Sequence, residues 1–225
     1  MTGAPRAVVL LSGGVDSTTT AAVAKAYGCE VYALSFRYGQ TLSVELERAA
    51  RVARGLGLAE HRVVSVDLAP LGGSRLLGDD AVDATGSAIP ATYVPARNTI
   101  FLSIGLAWAE VLGARFLMFG ANAVDYSGYP DCRPEYVEAF EEMANRATRF
   151  TTEGERLHVL APLVDLSKAD IIRLGRALGV DYGLTHSCYF PDPQGRACGA
   201  CDSCRIRLKG FAEAGLADPV AYVPR

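Results

Sequence analysis

An α/β fold built on a parallel sheet, with a small metal-binding element at the C-terminal end, is what three features of the 225-residue sequence predict. Short apolar runs alternate with helical patterns through the first half. A Gly-Gly turn joins the first of those runs to the first helix. Four of the six cysteines crowd into one stretch near the end. Strand–helix–strand units at this spacing require a parallel sheet with right-handed crossovers.

In order, Ala7–Leu11 is a continuous apolar run and reads as a strand covered on both faces. Ser17–Tyr27 reads as a helix of small residues that can approach a sheet closely. Val31–Phe36 is the second strand, Val44–Leu56 an amphipathic helix ended near Gly57, and Arg62–Val66 the third strand. Ala69–Pro90 is rich in Gly, Asp and Ser and reads as a long loop, of the length associated with lids. Asn98–Leu112 reads as a helix, Phe116–Phe119 as a strand and Gly120–Arg133 as a polar, aromatic loop. Pro134–Ala147 is a helix with Pro in its first turn. Ser167–Leu178 is a helix opened by Ser167 with Asp170 three residues on, a capping box. The spacing predicts an α/β domain over residues 1–186 and an appended element over 187–225.

Composition excludes several function classes. Half of the residues are hydrophobic, enough for a substantial core, and no stretch is long enough to span a bilayer. The first apolar run is too short for a signal peptide and has no basic region before it, so a cytoplasmic location is expected, with no membrane partner. The net charge of −3 is spread along the chain without a basic tract, which disfavours direct nucleic-acid binding.

The chemistry starts at Leu10, Leu11, Ser12, Gly13, Gly14, Val15, Asp16, Ser17, Thr18, Thr19 and Thr20, between a strand and a helix. Two glycines let the backbone turn tightly and bring N–H groups to an anion, and the helix adds its positive end. Ser12, Ser17 and Thr18 add hydroxyl donors. Asp16 repels phosphate, so the segment calls for Mg²⁺ carried with the nucleotide. It lacks the Lys of a P-loop. Cys188, Cys198, Cys201 and Cys204, spaced C-x9-C-x2-C-x2-C, can close a four-thiolate shell with no open position, a structural metal site. Spacing alone leaves zinc and an iron–sulfur cluster both open. Tyr93, Arg97 and Asn98 precede one helix; Asp125, Tyr129, Asp131 and Arg133 precede another. Arg matches a carboxylate as a planar fork, Tyr offers a flat face, and Asp accepts hydrogen bonds from an amidine edge. Together they fit a flat, carboxylated, purine-like substrate. His61, His158 and His186 show no catalytic or metal spacing.

The string Ser12-Gly13-Gly14-Val15-Asp16-Ser17 resembles the signature of pyrophosphatase-loop ATPases, which adenylate a carbonyl or carboxylate oxygen. That resemblance implies a doubly wound sheet of the adenine nucleotide alpha-hydrolase-like kind, with nucleotide at the carboxyl ends of the strands. Pro162-Leu163, Leu166, Lys168, Asp170 and Arg173 look like a helix start of the same superfamily, in which Lys168 serves the α-phosphate. Adding Tyr38-Gly39-Gln40, Pro95 to Asn98, Asn122 to Arg133, Ser187-Cys188-Tyr189 and Cys198 to Cys204, the order of motifs resembles the 7-cyano-7-deazaguanine synthase family of queuosine biosynthesis. The match runs from Ala7 to Phe211; His186 stands where an aromatic residue, often Trp, is expected. The resemblance implies a carbon–nitrogen ligase using ATP, ammonia and 7-carboxy-7-deazaguanine, with structural Zn²⁺ in a homodimer. Two other readings use the same motifs: a tRNA thiolation enzyme of the superfamily, and a non-catalytic zinc-ribbon adaptor.

Overall fold

The computed structural model describes residues 3–39, 44–79, 89–122 and 128–224. Five parallel strands, β1 (Arg6–Leu10), β2 (Glu30–Arg37), β3 (Glu60–Ser65), β4 (Phe116–Met118) and β5 (His158–Leu160), lie in the order β3-β2-β1-β4-β5. The helices are α1 (Val15–Ala26), α2 (Val44–Gly55), α3 (Arg97–Leu112), α4 (Pro134–Ala147), the short α5 (Arg149–Thr152), α6 (Lys168–Ala177) and α7 (Asp202–Glu213).

Alternation along β1 builds two cores. Val8 and Leu10 face α3 and α4 through Leu102, Leu106, Val137 and Phe140. Ala7, Val9 and Leu11 face α1 and α2 through Ala21, Ala24, Ala49 and Val52. Successive side chains of a strand point to opposite faces, so a run that is apolar throughout demands cover on both. The sheet is therefore doubly wound, as expected. The chain leaves β1 toward β2 on one side and later returns to place β4 on the other, so the crevice at the carboxyl ends of β1 and β4 is the switch point.

Helix α1 contains Thr18, Thr19 and Thr20, poor helix formers. Thr19 and Thr20 resolve this by donating their hydroxyls to the carbonyls of Val15 at 2.8 Å and Asp16 at 3.0 Å. A third cluster joins α1 to the C-terminal part: Val15 and Ala22 meet Ile171 and Ile172 of α6, Tyr182, and Phe211 of α7. Burying Phe211 there is worth roughly 1.5–3 kcal/mol, which seats α7 against α1 and α6.

Most elements fall within a few residues of expectation, and Ser167 caps α6 by accepting from the Asp170 N–H. Strand β5 and helices α5 and α7 were not foreseen. The long loop after β3 contains single 3-10 turns at Ala69–Leu71 and Arg75–Leu77; its residues 80–88 lie outside the described residues. Among the described residues no helix is long and apolar enough to cross a membrane.

One backbone strain point stands out. Ala96, just before α3, has φ of 53°, the left-handed region that L side chains avoid. Ala96→Gly is expected to stabilise the fold by about 0.5–1 kcal/mol, a Tm rise of roughly 1–4 °C. A lower Tm in thermal denaturation would refute this.

Candidate active site

A cleft of about 350 Å³ opens at the switch point. Its floor is the turn after β1. Gly13 adopts φ of 83°, and a Cβ there would lie 2.7 Å from the Ala49 nitrogen and 2.9 Å from the Glu45 carbonyl oxygen of α2. Only Gly lets α2 press against the loop. Gly120, after β4, is equally constrained: its Cβ would lie 2.9 Å from the Ser17 nitrogen. Ser12 Oγ and Ser17 Oγ are 3.0 Å apart, and the Ser12 N–H donates to Ser17 Oγ at 3.2 Å. No side chain caps α1, so its first-turn N–H groups are left for a ligand.

Lys168, first residue of α6, reaches across to Asp16 and donates to both carboxylate oxygens at 2.7 and 2.6 Å. The Lys168 side chain is 12% exposed, so it is not a solvated helix lysine. Asn122, fully buried, donates to Asp16 Oδ2 at 3.3 Å. The stem of Lys168 lies on α7: a Cβ on Gly210 would come within 2.4 Å of Lys168 Cγ.

On the other side of the cleft Arg97 donates to the Tyr38 hydroxyl at 3.4 Å. Burial works against the Arg97 charge, but Tyr38, Tyr189 and Asp131 outweigh it, and the guanidinium is held more firmly protonated than usual. Asp131 is buried and spends Oδ2 on the Asn98 N–H at 2.9 Å, capping α3 from a distant loop; burial raises its pKa, against that bond and Arg97. Asn98 Nδ2 also donates to the buried Cys132 thiol at 3.1 Å. Tyr93 lies tilted on Tyr129 with centroids 5.9 Å apart.

The four cysteine sulfurs of Cys188, Cys198, Cys201 and Cys204 lie within 4.8 Å of one another, a spacing that suits one tetrahedral ion. The surroundings of Cys198 favour its thiolate. Cys198 accepts from the Ala200 and Cys201 N–H groups at 3.4 and 3.3 Å. Burial opposes charge on Cys198, yet those N–H groups and the neighbouring thiols bring it down to about 6. Burial pushes Cys188 up to about 11 and Cys204 higher still, a cost that a cation bound among the four sulfurs would offset. The donor set therefore fits a metal.

This knot is also a wall of the cleft, through Cys188, Tyr189, Phe190, Ile206 and Arg207. The His186 N–H donates to the Gly13 carbonyl at 2.9 Å, tying the knot to the turn after β1. His186 is 5% exposed, and burial, then Arg48 and Arg207, lower its pKa. Arg207 is buried against Asp218 at 2.7 Å and donates to Thr185 Oγ1 at 2.8 Å.

Of the residues singled out from the sequence, Leu10, Leu11, Ser12, Gly14, Val15, Asp16, Ser17, Lys168, Arg97, Asn98 and Tyr129 line this one cleft. Thr18, Thr19 and Thr20 turn into the protein instead, and Thr19 bonds the Tyr182 hydroxyl at 2.7 Å. Arg133 is exposed at the start of α4, outside the cleft, and Asp125 lies outside the described residues. Sequence reasoning missed Leu34, Ser35 and Phe36 at the end of β2, Glu45 on α2, and the knot as a wall. Ser35 Oγ donates to the Leu11 carbonyl and lies 2.8 Å from His61 Nε2, bracing the loop. The rule that ligands sit at the carboxyl ends of strands was the signal that could have found the β2 residues.

The chain is similar to known proteins in both sequence and fold. The family model described as "Queuosine biosynthesis protein QueC" matches residues 6–215. A 7-cyano-7-deazaguanine synthase of Geobacter sulfurreducens is 65% identical over 221 residues, covering 97% of this chain and 93% of the relative. That of Azoarcus sp. is 61% identical over 229 residues, covering 100% of both. Among solved structures, the NMN synthetase of Francisella tularensis aligns with a TM-score of 0.51 at 17% identity, over 99% of this chain and 90% of that one. A 4-thiouridine synthetase in complex with RNA and ATP aligns with a TM-score of 0.51 at 20% identity, over 97% of this chain and 47% of that one. At these identities the structural matches speak for the fold alone.

Proposed function

The chain belongs to the queuosine biosynthesis family of 7-cyano-7-deazaguanine synthases, and we propose that it builds the nitrile from 7-carboxy-7-deazaguanine, ammonia and ATP. The observation that carries the proposal is a single cleft in which the uncapped α1 turn with Lys168 faces Arg97 and Tyr38. One end suits phosphates and the other a flat carboxylate.

In the first half-reaction the substrate carboxylate oxygen attacks the α-phosphorus of ATP and pyrophosphate leaves. Ammonia displaces AMP to give the amide. In the second, the amide oxygen attacks the α-phosphorus of another ATP and pyrophosphate leaves; departure of AMP and of both protons from nitrogen then gives the nitrile. The protein supplies position and charge. The loop from Ser12 to Ser17 holds pyrophosphate, Lys168 turns from Asp16 to the α-phosphate, and Arg97 anchors the substrate. Leu34, Ser35 and Phe36 give the adenine a half-apolar slot. Mg²⁺ brought with ATP would offset phosphate charge, held by the Asp16 carboxylate once Lys168 has left it. Residues 187–225 act as a structural element, and Zn²⁺ suits four thiolates, two of them buried, with no open position. The family likeness also supports a cytoplasmic homodimer, which sedimentation at twice the chain mass would check.

Incubation of the metal-replete protein with the acid, ammonium and MgATP is expected to yield the nitrile together with AMP and pyrophosphate, followed by mass spectrometry. Folded, metal-replete protein that releases neither product would refute the reading.

A further inference from the structure

From the placement of Glu45 we infer that its carboxylate binds the incoming ammonium and removes the proton that frees its lone pair. The inference rests on the ligase reading above and names the proton acceptor for its amidation step.

Glu45 sits in the first turn of α2, whose backbone is pressed against the phosphate loop through Gly13. Its residue lines the cleft and is half-buried. Among the described residues its carboxylate makes neither a hydrogen bond nor an ion pair. Yet its charge is felt by Arg97 and by the Tyr38 hydroxyl, so it stands beside the group that anchors the substrate carboxylate. The phosphates on one side and Arg97 on the other place Glu45 at the reacting end of the substrate, not at its distal amidine edge.

An unpaired carboxylate beside a bound carboxylate and a row of phosphates is unfavourable unless a small cation lies between them. Ammonium is such a cation, and it cannot attack until it loses a proton. Burial raises the proton affinity of Glu45, against the pull of Arg97, which suits it to accept that proton. In the step itself, NH₄⁺ and the carboxylate become NH₃ and the carboxylic acid. NH₃ then forms the C–N bond as the C–O bond to AMP breaks, and a second proton leaves the new nitrogen to solvent. Among the described residues that line the cleft the other acid is Asp16, which is committed to Lys168 and, once Lys168 turns to phosphate, to Mg²⁺.

The test compares nucleophiles in the full-length, metal-replete protein. Pyrophosphate–ATP exchange with the acid, without ammonium, reports adenylation. Amide formation from ammonium is set against hydroxamate formation from hydroxylamine, which is already neutral at pH 7. Glu45→Gln is expected to leave exchange within about twofold, to lower kcat/KM for ammonium by on the order of 10²-fold, and to spare hydroxylamine. Glu45→Asp, which keeps the carboxylate, should retain more ammonium reaction than Glu45→Gln. Equal losses with both nucleophiles, a loss of exchange, or the reverse order of the two variants would each overturn the inference. Absence of exchange in the unaltered protein would instead sink the ligase reading.

Discussion

Lys168→Met is expected to lower kcat by about 10²–10³-fold, the effect of removing one preorganised donor from developing charge, with a smaller change in KM for the acid. The geometry sets the size of this effect. Lys168 Nζ sits 2.6 Å from Asp16 Oδ2 at the lip of the phosphate loop, so a small rotation takes it onto an incoming phosphate. The reach of the amine is set by Gly210, because any side chain there displaces the Lys168 stem from α7. Gly210→Ala should therefore reduce kcat strongly alone and add little to Lys168→Met, a non-additivity that a double-mutant cycle in pyrophosphate release would measure. Additive losses would mean that Gly210 acts through helix packing rather than through the lysine. Unchanged kcat in Lys168→Met would remove the lysine from the mechanism.

The Gly-Gly turn after β1 and the gathering of the four cysteines were legible because both are local. A Gly-Gly turn between an apolar run and a helix, or cysteines three residues apart, brings its partners together within a few residues of chain. The sheet was legible for a similar reason: an uninterrupted apolar run such as Ala7–Leu11 has to be covered twice. What escaped was non-local or written in the wrong alphabet. Helix α7 buries Cys204, Arg207, Gly210 and Phe211, and three of those four are invisible to a search for apolar periodicity. Strand β5 is three residues long, too short to show a period. Asp131 looked like a substrate acceptor because its loop is polar, but the fold spends it on the Asn98 N–H, and only tertiary placement reveals that. Arg133 looked equivalent to Arg97 in sequence; a helix start turned one outward while the other was drawn under Tyr38. Glu45 carried no signal beyond being an acid in an amphipathic helix.

Cys204→Ser is expected to abolish ATP binding as well as metal binding, although Cys204 touches no part of the phosphate loop. Cys204 is 1% exposed in the first turn of α7, and that helix carries two supports of the site, Gly210 and Arg207. Gly210 backs Lys168, Arg207 fixes Thr185 beside His186, and the His186 N–H holds the Gly13 carbonyl. A metal that pins the start of α7 therefore pins the far wall of the cleft. Structural ions contribute on the order of 10 kcal/mol to small zinc domains. Losing even a third of that should lower Tm by about 10 °C, at roughly 2–4 °C per kcal/mol for a chain of this size. The sharper readout is ligand stabilisation. MgATP at a hundredfold over its Kd should add about 2.7 kcal/mol to the metal-replete protein, several degrees in Tm, and add nothing to Cys204→Ser or to protein stripped by a chelator. Restoring Zn²⁺ to the stripped protein should bring the ATP shift back. A metal-free variant that still gains several degrees from MgATP would show that the knot and the nucleotide cleft are energetically independent, and the cysteines would then stabilise the C-terminal segment alone.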